Sequence, residues 1–154
     1  MDLSPPQQLP IEARWCIRDD TCVLLEVADQ PQEQQLGLMQ RLALPPLRGM
    51  WFPFQPARPL RFWMLNTIAP LDMVFVHQSQ VIAIKAEVPI CPALPCRSYG
   101  PMADADGVIE LRAGEAKRLG LDVGDAVVIE PITSMDTTQS TNELRPSVSG
   151  DTVK

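Results

Sequence analysis

The sequence predicts a single, mainly β domain with one or two short helices. Three observations carry this. Segments of five to eight residues rich in Val, Ile, Leu and Phe recur along the chain, bounded by Gly, Pro and polar turn residues. Only two stretches show helical spacing, and both are short. The connections between them are rich in proline. A length of 154 residues suits one domain, and an apolar share of 45% supplies its core.

The elements follow in order. Residues 1–13, Pro- and Gln-rich at their start, read as an N-terminal arm. "TCVLLEVA", residues 21–28, is a first strand. In "DQPQEQQLGLMQRLAL", Asp29 is placed as an N-cap, Pro31 in the first turn, and Leu36 and Met39 at helical spacing, giving a helix of two or three turns. Gly49 precedes the short apolar run Met50 to Phe52. Prolines 53, 56 and 59 then argue for an edge strand leading into a stiff loop rather than a long central strand. Two extended runs, Arg61 to Leu65 and Leu71 to Val76, are joined through Asn66 to Pro70. "HQSQ", residues 77–80, turns the second run into "VIAIKAEV", a β-hairpin over residues 71–88. "PICPALPCRSYGPM" is a loop. "GVIELRAGEAKRLGLDVGDAVVIE" reads as strand, short helix and strand, with Gly120 ending the helix and Lys117 and Arg118 in its last turn. The domain thus spans residues 14–132, and residues 133–154 form a polar tail expected to be disordered.

Charge narrows the function. Thirteen basic against 19 acidic residues give a net charge of −6, which argues against a nucleic-acid partner, since phosphate binding rests on Lys and Arg. No segment approaches the roughly 18 consecutive apolar residues of a membrane span, and the first residues lack the basic and apolar regions of a signal peptide. Such a start is also what trimming of a targeting segment would leave.

The four cysteines fall in two local pairs, Cys16 with Cys22 and Cys91 with Cys96. Their even number and pairing point to disulfides and a periplasmic or other extracytoplasmic place; buried free thiols in a cytoplasmic protein are the alternative. Gaps of five and four residues, with His77 the only histidine, fit a zinc site poorly, so no metal is expected. A redox role would draw on Arg97 beside Cys96, but the loop is stiffened by Pro89, Pro92 and Pro95, and a structural staple fits better. There is no partnered His for a nucleophilic triad and no Gly-rich phosphate loop, and no cofactor is expected.

What remains is "RFWMLNTIAPLDMVFV", residues 61–76. Asp72 stands in an apolar run, where an unpaired carboxylate would cost several kcal/mol. Asn66, Thr67 and the loop amides up to Pro70 are its nearest donors in sequence, and a structural fastening is one reading. The functional reading joins Trp63, Asn66, Asp72 and Tyr99 as a cleft for a small polar ligand or a peptide, with Arg58 or Arg61 adding charge. A sharper version makes Asp72 the general acid or base of an enzyme.

At "GLMQR", "GMWF", "FWMLNTIAPLDMVFV", "PCRSY" and "VGD" the chain resembles a bacterial and archaeal family known as domain of unknown function 192, over about residues 22–128. The resemblance implies a compact two-layer β-sandwich or jelly-roll-like barrel and, for many members, export. Asn66, Thr67, Pro70 and Asp72 match the family's block, whereas Leu65 stands where Lys is usual. Cys91 and Cys96 match a pair common in the family; Cys16 and Cys22 are less typical. The leading expectation is a non-catalytic binding or accessory module of the cell envelope. An enzyme using Asp72 and a purely structural domain are the alternatives.

Overall fold

The computed structural model describes residues 5–132; the tail expected over 133–154 lies outside the described residues. The elements in order are β1 (Ile11–Arg18), β2 (Thr21–Val27), α1 (Pro31–Leu36), β3 (Arg48–Arg58), β4 (Phe62–Trp63), β5 (Leu71–His77), β6 (Gln80–Val88), β7 (Ser98–Tyr99), β8 (Ala105–Arg112), α2 (Glu115–Leu119) and β9 (Ile129–Pro131). Seven strands form one sheet in the order β6-β5-β8-β3-β2-β1-β9, and β4 pairs with β7 in a small second sheet. Every named strand pair is antiparallel except β2–β3, which run parallel with α1 in their connection. The protein is therefore mainly β with two short helices, as its sequence indicates.

The large sheet does not close into a barrel. It curls far enough, however, that Val81 and Asp125 bond through N–H···O (2.9 Å) and Val127 donates to Ser79 (2.9 Å). The segment ahead of the edge strand β9 thus reaches the opposite edge, β6, at one end.

Alternation along the central strands sends apolar side chains to both faces. On one face, Trp15, Val23, Leu25, Val74, Ile109 and Leu111 form a core closed by Leu119, Leu121 and Val127. On the other, Met50, Phe52, Met73, Phe75 and Val108 form a second core with Met64 and Leu38. The hairpin expected over 71–88 is present, and its turn residues Gln78 and Ser79 both have positive φ (51° and 63°), as a two-residue turn of primed type requires.

Two expectations are corrected. Strand β3 is long and central, not an edge strand. Its Arg48–Trp51 part pairs with Leu24–Val27 of β2, while Gly49–Pro53 pair with β8. The prolines fall where β2 has already ended, so their missing N–H groups cost no ladder bond on that side. The N-terminal arm, in turn, is partly built into the domain. β1 begins at Ile11. Gln7 Nε2 donates to the carbonyls of Glu33 (3.0 Å) and Gly37 (2.9 Å), and the Leu9 amide donates to Glu26 Oε1 (3.0 Å).

Both cysteine pairs lie at disulfide distance, Cys16 with Cys22 across β1–β2 and Cys91 with Cys96 in the loop before β7.

Neither helix exceeds six residues, too few to be stable on propensity, so each is held by polar contacts with the rest of the fold. Asp72, fully buried, accepts from the amides of Glu87 (2.7 Å), Gly114 (3.0 Å) and Ala116 (2.8 Å). The last two are orphan donors at the start of α2, so the carboxylate caps that helix and faces its positive end. Glu115 accepts from the Leu47 amide (2.7 Å) and from Arg118 (2.7 Å to each oxygen). Arg118 above all holds its carboxyl below the usual range. On the other side of the sheet Arg41 forms a two-pronged ion pair with Glu26 (2.7 and 2.9 Å), tying the segment after α1 to β2.

Replacing Asp72 by Ala leaves three amides without their acceptor and should lower unfolding free energy by about 3 kcal/mol or more, read from urea denaturation. A loss below about 1 kcal/mol would mean that Asp72 is not a fastening.

Candidate functional site

Sheet parity separates the residues that sequence reasoning grouped. Asp72 shares its face with Val74 and Val76, whose core lies under α2. Leu71, Met73 and Phe75 point the other way, into the core beneath β4. The short covering elements on that second face leave a cleft of about 290 Å³ between the α1 segment and β4. Its lining includes Phe52, Phe54, Phe62, Trp63, Thr67 and Glu110.

Of the four residues expected to form a ligand cleft, Trp63 lines it and is 47% exposed. Asn66 is a turn residue. It holds φ 60°, a left-handed conformation that Asn tolerates, and its carbonyl accepts from the Gln40 amide (2.9 Å) and Gln40 Nε2 (3.1 Å). Tyr99 pairs with Phe62 across the small sheet, with the Arg97 guanidinium 5.6 Å from its ring. Asp72 is not brought to the cleft. The donors expected for it, Asn66 and the loop to Pro70, are replaced by amides from β6 and the start of α2, because a residue in a strand is served by what crosses its own face.

The residue that sequence reasoning passed over is Glu110. It stands in "GVIEL" at the centre of β8, opposite Met50 of β3 and Met73 of β5, in the most buried part of the sheet. It is 4% exposed and lines the cleft. Buried acids number four among the described residues: Glu26, Asp72, Glu110 and Glu115. The other three each accept at least three hydrogen bonds from the protein. Glu110 alone has no hydrogen bond or ion pair to its carboxyl among the described residues. Burial without a partner pushes its pKa from 4.5 up to about 8, so the carboxyl is neutral at neutral pH. The signal in the sequence was the same as for Asp72, one acid inside an apolar strand.

The wall of the cleft is aromatic. Phe62 stands edge-on to Phe52 (centroids 5.1 Å, 90°) and to Phe54 (6.0 Å, 87°), the packing that ring quadrupoles prefer. β4 is held in place by β7. Arg61 donates from Nη2 to the Ser98 carbonyl (2.9 Å), from Nη1 to the Gly100 carbonyl (2.9 Å) and from Nε to Ser98 Oγ (3.2 Å). Gly100 is required there, since a Cβ would lie 1.9 Å from the Leu60 carbonyl oxygen. Thr67, also buried, lines the cleft, and none of the hydrogen bonds among the described residues uses its hydroxyl. Chemically, the cleft combines aromatic and aliphatic surface with the polar side chains of Gln34, Gln35, Arg61 and Thr67 and the unpaired carboxyl of Glu110. No group of three or more His, Cys, Asp or Glu side chains suited to a metal occurs among the described residues.

The family model DUF192, described as "Uncharacterized ACR", matches residues 14–129. No curated protein matches the chain. Among solved structures, the chain is 30% identical to a putative transcription regulator from Sinorhizobium meliloti 1021, with a TM-score of 0.67 over 79% of this chain and 92% of that one. It is also 30% identical to a protein of unknown function from Novosphingobium aromaticivorans DSM 12444, with a TM-score of 0.69 over 82% and 91% of the two chains.

Because a neutral Glu110 ionises at lower pH once unfolded, the native state binds the extra proton between about pH 4.5 and 8. Stability contributed by the neutral form is full below that window and is lost as pH rises through it, on the order of 1 kcal/mol per pH unit. Glu110→Gln should flatten the profile. Superimposable denaturation profiles for the two proteins would show that Glu110 is not buried as described.

Proposed function

Because the chain belongs to the DUF192 family, whose description names no activity, we propose from the cleft itself that the protein is a non-catalytic binding module for a small ligand. The observation that carries this is Glu110, a buried carboxyl left without a partner at a cleft walled by aromatic rings. Native proteins pair their buried polar groups, and an unpaired one is costly, so a group kept this way in an accessible cleft is suited to a partner from outside. A volume near 290 Å³ fits a ligand at the lower end of the usual small-molecule range. The alternative, an enzyme in which Asp72 moves a proton, draws no support from this cleft, since Asp72 accepts from amides of β6 and the start of α2 and is not among the cleft's lining residues.

A role like that of the Sinorhizobium putative transcription regulator draws little support from this chain, whose acidic excess disfavours phosphate binding. A place in the cell envelope rests on the two cysteine pairs, which would persist in an oxidising compartment.

Amide chemical-shift mapping with a mixed library of aromatic and aliphatic fragments tests the binding reading. Shifts should cluster on residues 34–39, 61–67 and 108–111. Shifts clustered elsewhere, or none from any fragment, would sink it. For the compartment, thiol counting of denatured protein from its native host without reductant should find no free cysteine; four reactive thiols would remove the support for an extracytoplasmic place.

A further inference from the structure

A binding cleft at Glu110 leaves the charge of its ligand open. Building on that binding role, we propose that the cleft takes a small organic ammonium ion, a primary or methylated amine whose hydrocarbon body lies against the aromatic wall and whose cationic head pairs with Glu110.

Three observations converge. The carboxyl of Glu110 is 4% exposed, lines the cleft, and meets neither a donor nor a cation among the described residues. A cation from outside would supply what Arg41 supplies to Glu26 and Arg118 to Glu115. Next, Phe62 and Trp63 line the same cleft and give a surface on which an alkylammonium ion is held by ring quadrupoles while its carbons are desolvated, whereas the Phe54 ring already carries the Arg58 guanidinium (5.0 Å). The protein's charge of −6 also draws cations and repels anions.

The neighbouring charges are consistent with this. Arg61, just before β4, is the one cation lining the cleft, but it is exposed and its guanidinium is turned onto the Ser98 and Gly100 carbonyls rather than onto Glu110. Glu33 of α1 accepts from the amides of Asp29 and Gln30. Glu26 of β2 lies across Met50 and is paired with Arg41. Lys85 of β6 lies across Met73 and is partly exposed. Arg112, two residues along β8, lies across Leu71 at the end of the strand. None of these makes an ion pair with Glu110.

Binding has a proton balance. Below about pH 8 the cleft holds a neutral carboxylic acid. As the ammonium ion enters, the acid proton passes to solvent and the pair that remains is carboxylate with ammonium, so about one proton is released per ligand. An anionic ligand would instead favour the protonated acid, and its affinity would change with pH in the opposite sense.

Benzylammonium chloride, with benzyl alcohol and phenylacetate as neutral and anionic counterparts, provides the test by calorimetry in buffers of differing ionisation enthalpy. Benzylammonium should bind tightest. It should release about one proton near neutral pH and gain up to about tenfold in affinity per pH unit as pH approaches 8. Glu110→Gln should weaken it by about tenfold or more and abolish the proton release. Should that variant fail to fold, proton release by the unmodified protein decides. Tighter binding of benzyl alcohol or phenylacetate would overturn the ammonium inference while leaving the cleft a binding site. Unchanged benzylammonium affinity in Glu110→Gln would also overturn it. Binding of none of the three would overturn it too, and the fragment map then judges the cleft on its own.

Discussion

Everything in this fold answers to one constraint: the central strands of its sheet are apolar on both faces, so both must be covered, and the chain covers them with very little. α2 has five residues, α1 six, and the β4–β7 sheet two residues per strand. Covers this short bury too little to hold themselves by hydrophobic contact alone. They are held instead by polar fastenings that reach across the sheet edge or up from its surface. Asp72 grips the start of α2, Glu26 with Arg41 pins the segment after α1, and Arg61 straps β4 to β7.

The buried acids are accordingly a set with a common physical logic. Each sits where desolvation would be expensive, and three have their lone pairs met by amides or guanidinium groups, which makes them tethers. Glu110 occupies an equivalent position, in mid-strand between two methionines, yet its carboxyl is met by nothing in the described protein. A side chain serving only to fill that place would be better replaced by Met or Leu, which cost nothing to desolvate. The difference between tether and unpaired acid is what directs attention to one face of the sheet.

Much of the fold was legible in the sequence. The hairpin over residues 71–88 and the strand, helix and strand after Gly107 follow from period and turn chemistry, and Gly120 ends α2 with φ 72°. β3 was misread because a proline rule that holds for strands paired on both sides was applied to a strand whose partner on one side, β2, stops before the first proline. The site was half legible. Asp72 announced itself as an acid in an apolar run, but its partners come from residues 87, 114 and 116, which no local reading could join to it. Trp63 was found by residue type, and it does line the cleft. Glu110 carried the same signature as Asp72 and was overlooked because "GVIEL" contains no neighbouring polar residues to draw the eye.

The pairing of β1 with β9 carries a kinetic consequence. Trp15 meets Ile129 in register, its indole N–H donates to the Ala126 carbonyl (3.2 Å), and Arg14 pairs with Glu130 (3.1 Å), contacts separated by more than a hundred residues. Loop-closure entropy sets such contacts late, since little rewards them until the strands between are in place. During synthesis, Trp15 can pair with Val23 of the neighbouring β2 early, but its contacts with Ala126 and Ile129 must wait until nearly the whole domain has emerged. The first strand made is among the last to be sealed.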